Sequence, residues 1–132
     1  MSPPTCLLDT NVLIDYLARH PEVSFIRRVE HVLVEGAAVS IITTIELLGW
    51  RGHTDQSRLD ARNLLRGVAE IPLSRMVANQ VIALRERFAI KLPDAIIAAS
   101  AMVEDLPLMT RNLDDFRRIE TLRLINPFEG AG

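Results

Sequence analysis

Disulfides, zinc sites and a membrane span are what this sequence first does without. Its single cysteine, Cys6, rules out an internal disulfide, and the apolar neighbours Leu7 and Leu8 mark the thiol as a core group. The three histidines, His20, His31 and His53, stand apart without zinc-ligand spacing and read as surface or loop residues. No apolar run is long enough to cross a bilayer. Met1-Ser2-Pro3-Pro4 is not a basic segment leading into an apolar one, so the expectation is a cytoplasmic protein. Lysine is almost missing: of 15 cationic residues all but Lys91 are arginine, the side chain better suited to bidentate phosphate or carboxylate contacts. A net charge of −2 leaves no global basic field of the kind that advertises nucleic acid, although a cluster of metal-binding acids would itself offset basic residues elsewhere. Repeats, linkers and low-complexity stretches are absent too. What remains, 132 residues of which 48% are hydrophobic, fits a single compact domain.

The most informative stretch is Leu92-Pro93-Asp94-Ala95-Ile96-Ile97-Ala98-Ala99-Ser100-Ala101-Met102-Val103. From Ala95 to Met102 every residue is apolar or small, so a helix here has no wet face and belongs inside the protein. Pro93 suits the first turn, and Asp94 beside it is favoured by the exposed N–H groups and the helix dipole. Taken alone, Asp94 is a good helix start. It becomes a candidate ligand at the rim of a cleft only if other acids converge on it.

The remaining chain supplies those acids. Thr5-Cys6-Leu7-Leu8 reads as a buried strand that ends on Asp9, and Thr10-Asn11 opens a helix stopped by Pro21. Asp15, further along that helix, is expected in solvent. A second helix is expected over about Glu22 to Glu35, closed by Gly36, and a second strand over Ala37 to Ile42. Thr43-x-x-Glu46 then has the form of a capping box, so Glu46 is equally a cap and a ligand. The Trp50 loop precedes a helix from Asp55 to Gly67 in which Arg58, Arg62 and Arg66 share one face. Glu70-Ile71-Pro72-Leu73 is a connector or edge strand, Ser74 to Phe88 a helix, and Leu106 to Thr110 a third clear strand. Asn112 is placed to cap a helix with Asp115 three residues on. Leu122 to Ile125 is a last strand, with 129–132 frayed beyond it.

Strands alternating with helices imply a parallel sheet whose strand-to-helix junctions lie along one edge. Acids stand at or near three of those junctions, and Asp94 adds a fourth. Four unpaired carboxylates held close would raise one another's pKa, and a cation would neutralise them. With no Cys or His to select zinc or copper, a hard ion, Mg2+ or Mn2+, is expected, and such a site suits phosphodiester hydrolysis.

Leu7-Leu8-Asp9-Thr10-Asn11-Val12-Leu13-Ile14, Ile45-Glu46-Leu47, Leu92-Pro93-Asp94-Ala95-Ile96-Ile97-Ala98-Ala99 and Thr110-Arg111-Asn112-x-x-Asp115-Phe116 together resemble a PIN domain, specifically the VapC-like toxin ribonucleases. The likeness runs over about residues 5–126, leaving 127–132 as a C-terminal tail. It implies a three-layer α/β/α sandwich around a short parallel sheet, Mg2+- or Mn2+-dependent cleavage of RNA, and a homodimer. It also implies a VapB-like antitoxin whose C-terminal segment crosses the active-site groove. Carried over by position, Asp9, Glu46 and Asp94 match the metal-binding acids and Asp115, next to Asp114, the fourth. Asn11 and Thr110 match the polar residues that orient them. Arg51, Arg58, Arg62 and Arg111 are candidates for RNA contact. Two other readings compete: a PIN-like domain that binds RNA or protein without cutting, and, last, a phosphatase with Asp9 as nucleophile, which position 11 weakens because it is Asn where such enzymes carry a second acid.

Overall fold

The computed structural model describes residues 2–128. Five strands, β1 (Cys6–Leu8), β2 (Ala37–Ser40), β3 (Ala69–Ile71), β4 (Leu108–Met109) and β5 (Leu124–Ile125), form one sheet of order β3-β2-β1-β4-β5 with every pairing parallel. Among the described residues seven helices connect them: α1 (Thr10–Leu17), α2 (Val23–Glu35), α3 (Ile41–Leu48), α4 (Asp55–Arg66), α5 (Arg75–Arg87), α6 (Leu92–Val103) and α7 (Leu113–Phe116).

Side-chain alternation in the strands divides the core in two. Leu7, Ala38 and Leu108 join α5, α6 and α7 on one face. Cys6, Leu8, Ala37, Val39 and Met109 join α1, α2 and α4 on the other. Both faces are covered, as a parallel sheet requires, giving the expected three-layer α/β/α sandwich. In α6, Ala95 to Ala101 are all buried, and the one hydroxyl among them, Ser100, is satisfied by the Ile96 carbonyl at 2.7 Å. Gly36 ends α2 with φ 129°, a conformation that favours glycine, and the Pro3 carbonyl fills the space a side chain would need.

Three local expectations change. Strand β2 stops at Ser40, whose hydroxyl caps α3 by accepting from the Ile42 amide at 3.2 Å, so Ile41 and Ile42 are helical. Thr43 therefore lies inside α3 and forms no capping box with Glu46. Asn112 occupies the start of α7, but its side chain makes no cap bond; its amide instead donates to Thr110 Oγ1 at 3.0 Å. Pro127 and Phe128, assigned to the tail, are packed: Pro127 is buried and Phe128 stacks on Phe25 with ring centroids 4.4 Å apart. The fraying expected at 129–132 lies outside the described residues. The edge assignment of the Glu70 segment holds, as β3 borders the sheet.

The strand order places a switch point between β1 and β4. From β1 the chain builds outward through β2 and β3, then returns to lay β4 and β5 on the other side. The connections leaving β1 and β4 thus diverge, opening a crevice at the carboxyl ends of those strands, where α/β sheets bind ligands.

Candidate active site

Asp9 leaves β1 into this crevice and is buried. Its two oxygens are held by separate elements: Oδ1 accepts from the Thr10 amide at 2.8 Å, and Oδ2 from the Thr110 hydroxyl at 2.8 Å, closing β1 against β4 across 101 residues of sequence. Thr10 serves two acids, because its hydroxyl also meets Glu46 Oε1 at 2.8 Å. Glu46 is exposed on α3, and Asp94 is half-buried in the first turn of α6. The Asp94 carboxylate takes part in none of the described hydrogen bonds and caps nothing.

Electrostatics ties these groups together. Burial pushes the Asp9 carboxyl above the usual carboxylate range; the hydrogen bonds from Thr110 and Thr10 pull it down, and the charges of Asp94 and Glu46 push it up again. Burial likewise raises Asp94, with Asp115 and Glu46 adding to the rise and Lys91 opposing it. Of the neighbouring acids on α7, Asp115 is thus the one whose charge is felt by Asp94, whereas Asp114 points to Arg117 at 3.6 Å. The donor set is entirely hard oxygen and repels itself, which suits a divalent cation of the Mg2+ or Mn2+ type. As they stand, though, no three His, Cys, Asp or Glu side chains among the described residues are close enough together to hold one ion. The acids are within each other's field but not within common ligation distance.

The other nominated residues sit around this crevice. Asn11 is half-buried, and its side chain makes none of the described hydrogen bonds. Asp15 is not in solvent: its side chain is only 16% exposed, and Oδ2 lies 2.8 Å from Nη1 of Arg111. No donor meets that buried oxygen with hydrogen-bond geometry, so the contact is one of charge. Arg111, the residue after Thr110, is therefore tethered to α1. Arg51 and Arg62 are exposed and Arg58 is half-buried, and none forms a described salt bridge. Sequence reasoning missed Thr10, whose only visible signal was its place directly after Asp9. It also missed a groove of about 380 Å³ beside Glu46, walled by Ile14, Leu17, Leu47 and Trp50. His53 secures one wall: its ring nitrogens meet Ser57 Oγ at 2.8 Å and the Leu47 carbonyl at 2.6 Å, and its edge faces Trp50.

The PIN domain family model matches residues 6–122. The chain belongs to the PIN domain family. Within the family, it is 30% identical over 128 residues to ribonuclease VapC1 of Methanocaldococcus jannaschii, covering 89% of this chain and 83% of that protein. This PIN domain also superposes on a chain of a toxin–antitoxin complex from Klebsiella pneumoniae with a TM-score of 0.76 and 32% identity, covering 96% of this chain and 100% of the other. It superposes on a chain of VapBC2 from Rickettsia felis, a structure bound to promoter DNA, with a TM-score of 0.79 and 25% identity over 92% and 98% of the two chains.

The raised carboxyls give this PIN domain a pH signature. Asp9 and Asp94 bind a proton more readily folded than unfolded. Their stabilising contribution is complete below the unfolded value, about 3.9, and is lost as pH rises through the higher folded values. In EDTA, the melting temperature of Asp94→Asn relative to the native protein should therefore increase as pH is raised from about 4 to 7. A difference that stays constant or shrinks across that range would contradict the raised Asp94 carboxyl.

Proposed function

We propose that this chain is a metal-dependent endoribonuclease and the toxin of a VapBC-type toxin–antitoxin pair. The reading rests on one observation: at the crevice between β1 and β4, Asp9 is held by Thr10 and Thr110, Thr10 also holds Glu46, and the charges of Glu46 and Asp94 reach Asp9 while those of Asp115 and Glu46 reach Asp94. Those four acids would hold Mg2+ or Mn2+, which when bound lowers the pKa of an attacking water and neutralises charge on the phosphodiester. Thr110 and Thr10 keep both Asp9 oxygens aimed. Lys91 moderates the charge on Asp94. A thiol nucleophile plays no part, because Cys6 is buried in the core and burial pushes its pKa up to about 11. Arg111, tethered by Asp15, stands next to Thr110 as a contact for RNA phosphate; Arg51, Arg58 and Arg62 are more remote candidates.

The apolar groove beside Glu46 suits the amphipathic C-terminal segment of a VapB-like antitoxin, since Ile14 and Trp50 are exposed there. Leu73, just before α5, and Met76, in its first turn, are exposed apolar side chains that a homodimer would cover. No helix among the described residues is long and apolar enough to cross a membrane.

The test is incubation of antitoxin-free protein with total cellular RNA in Mg2+, Mn2+ or EDTA. Discrete fragments that vanish in EDTA are expected. A second reading, a PIN-like domain that binds RNA or protein without cutting, is favoured by the carboxylates not standing at common ligation distance. Absence of both cleavage and thermal stabilisation on Mn2+ titration would decide for it.

A further inference from the structure

A buried hydroxyl on α3 has no role in the proposed reaction so far. Thr43 is fully buried, and its Oγ1 lies 2.8 Å from Thr10 Oγ1. A threonine inside a helix commonly satisfies its hydroxyl on the carbonyl one turn back. This one reaches sideways to another helix instead.

Charge fixes the direction of the bonds. Thr10 has one hydroxyl proton, and it is donated to Oε1 of the Glu46 carboxylate at 2.8 Å. The Thr10 oxygen is then left to accept, and the proton between the two threonines must come from Thr43. The result is a one-way chain, Thr43 to Thr10 to Glu46, in which each bond polarises the next. It engages Oε1 and leaves Oε2 without a described partner. Thr10 also donates its amide to Asp9, so the same residue sets two acids at once.

We infer that Thr43 is a positioning residue that fixes Glu46 for divalent-cation binding through the Thr10 hydroxyl. The inference rests on the nuclease reading of Glu46. Thr43 touches neither RNA nor ion. Its loss acts by freeing the Thr10 rotamer, and with it one acid of the site, as partners behind metal ligands do.

The experiment compares T43V, which keeps the buried volume and removes the hydroxyl, with T43S, which keeps the hydroxyl. Cleavage kinetics, Mn2+ titration calorimetry and metal-free melting are measured for each. T43V should lose about 10- to 100-fold in Mn2+ affinity and in kcat, with KM for RNA unchanged. T43S should stay within a few-fold of the native protein. Because both threonines act through one chain, T10V/T43V should be no worse than T10V alone. Wild-type Mn2+ affinity in T43V overturns the inference, as does an equal loss in T43V and T43S, which would indicate a packing role. E46Q separates the two levels: loss of cleavage and of Mn2+ affinity there, with T43V unaffected, refutes the relay alone. An E46Q protein that cleaves and binds Mn2+ normally would remove Glu46 from the site and refute both.

Discussion

Asp94→Asn is expected to lower RNA cleavage by at least about 10³-fold while leaving the protein folded. The carboxylate makes none of the described hydrogen bonds, and the substitution removes charge without changing volume, so the seven-residue buried run that follows it keeps its packing. What disappears is one acid of a set that shares a field with Glu46 and Asp115. Metal-assisted charge stabilisation is worth several kcal/mol in a phosphodiester transition state, and at about 1.4 kcal/mol per tenfold a loss of roughly 4 kcal/mol gives that figure. The metal-free variant should also be at least as stable as the native chain at pH 7, because the half-buried charge and its repulsion by Asp115 and Glu46 are gone. Initial rates in saturating Mn2+, read beside circular dichroism, check both halves. A folded Asp94→Asn protein that retained more than a tenth of native activity would sink the mechanism.

Phe116→Ala is expected to cost about 3–5 kcal/mol of stability, the range for emptying a fully buried aromatic site. Phe116 is completely buried and joins α7 to the core formed by α5 and α6. For a domain of this size that loss corresponds to a fall of about 10–20 °C in melting temperature. The effect should also reach function, because α7 is only four residues long and Asp115 precedes Phe116 directly. Phe116→Leu, which preserves most of the volume, should cost under about 1.5 kcal/mol. Urea titrations of both variants provide the measurement. A loss below about 1 kcal/mol in the alanine variant would mean that α7 is not anchored through this ring.

The places of Asp9 and Asp94 in the fold were legible for a physical reason: a carboxylate that ends an apolar strand or opens an apolar helix interrupts the hydrophobic pattern where the chain must turn. Asp9 and Asp94 are interruptions of this kind, and parallel topology brings them to one edge. Among the hydroxyls, Thr110 was nominated by resemblance, whereas those of Thr10 and Thr43 were not legible. Thr43, three residues before Glu46, has the spacing of a capping box, and only the true strand end at Ser40 reveals that the cap lies elsewhere. Thr10 and Thr43 are neighbours through helix packing that no local pattern encodes. Asp15 looked wet because its own helix offers it no partner; the charge that meets it comes from Arg111, just past β4, a strand distant in sequence that pairs with β1. Strand lengths were overread for a related cause. Apolarity reports burial, whereas β4 pairs over Leu108–Met109 alone within an apolar run extending from Leu106.

The bond from Thr110 to Asp9 also has a consequence in time. Asp9 is synthesised 101 residues before Thr110, one of the two groups that hold it, which lies in a stretch that must insert beside β1 before the crevice exists. Such non-local parallel pairing forms late, after its loop-closure entropy has been met. A growing chain therefore carries an unfinished crevice until β4 has emerged and paired with β1.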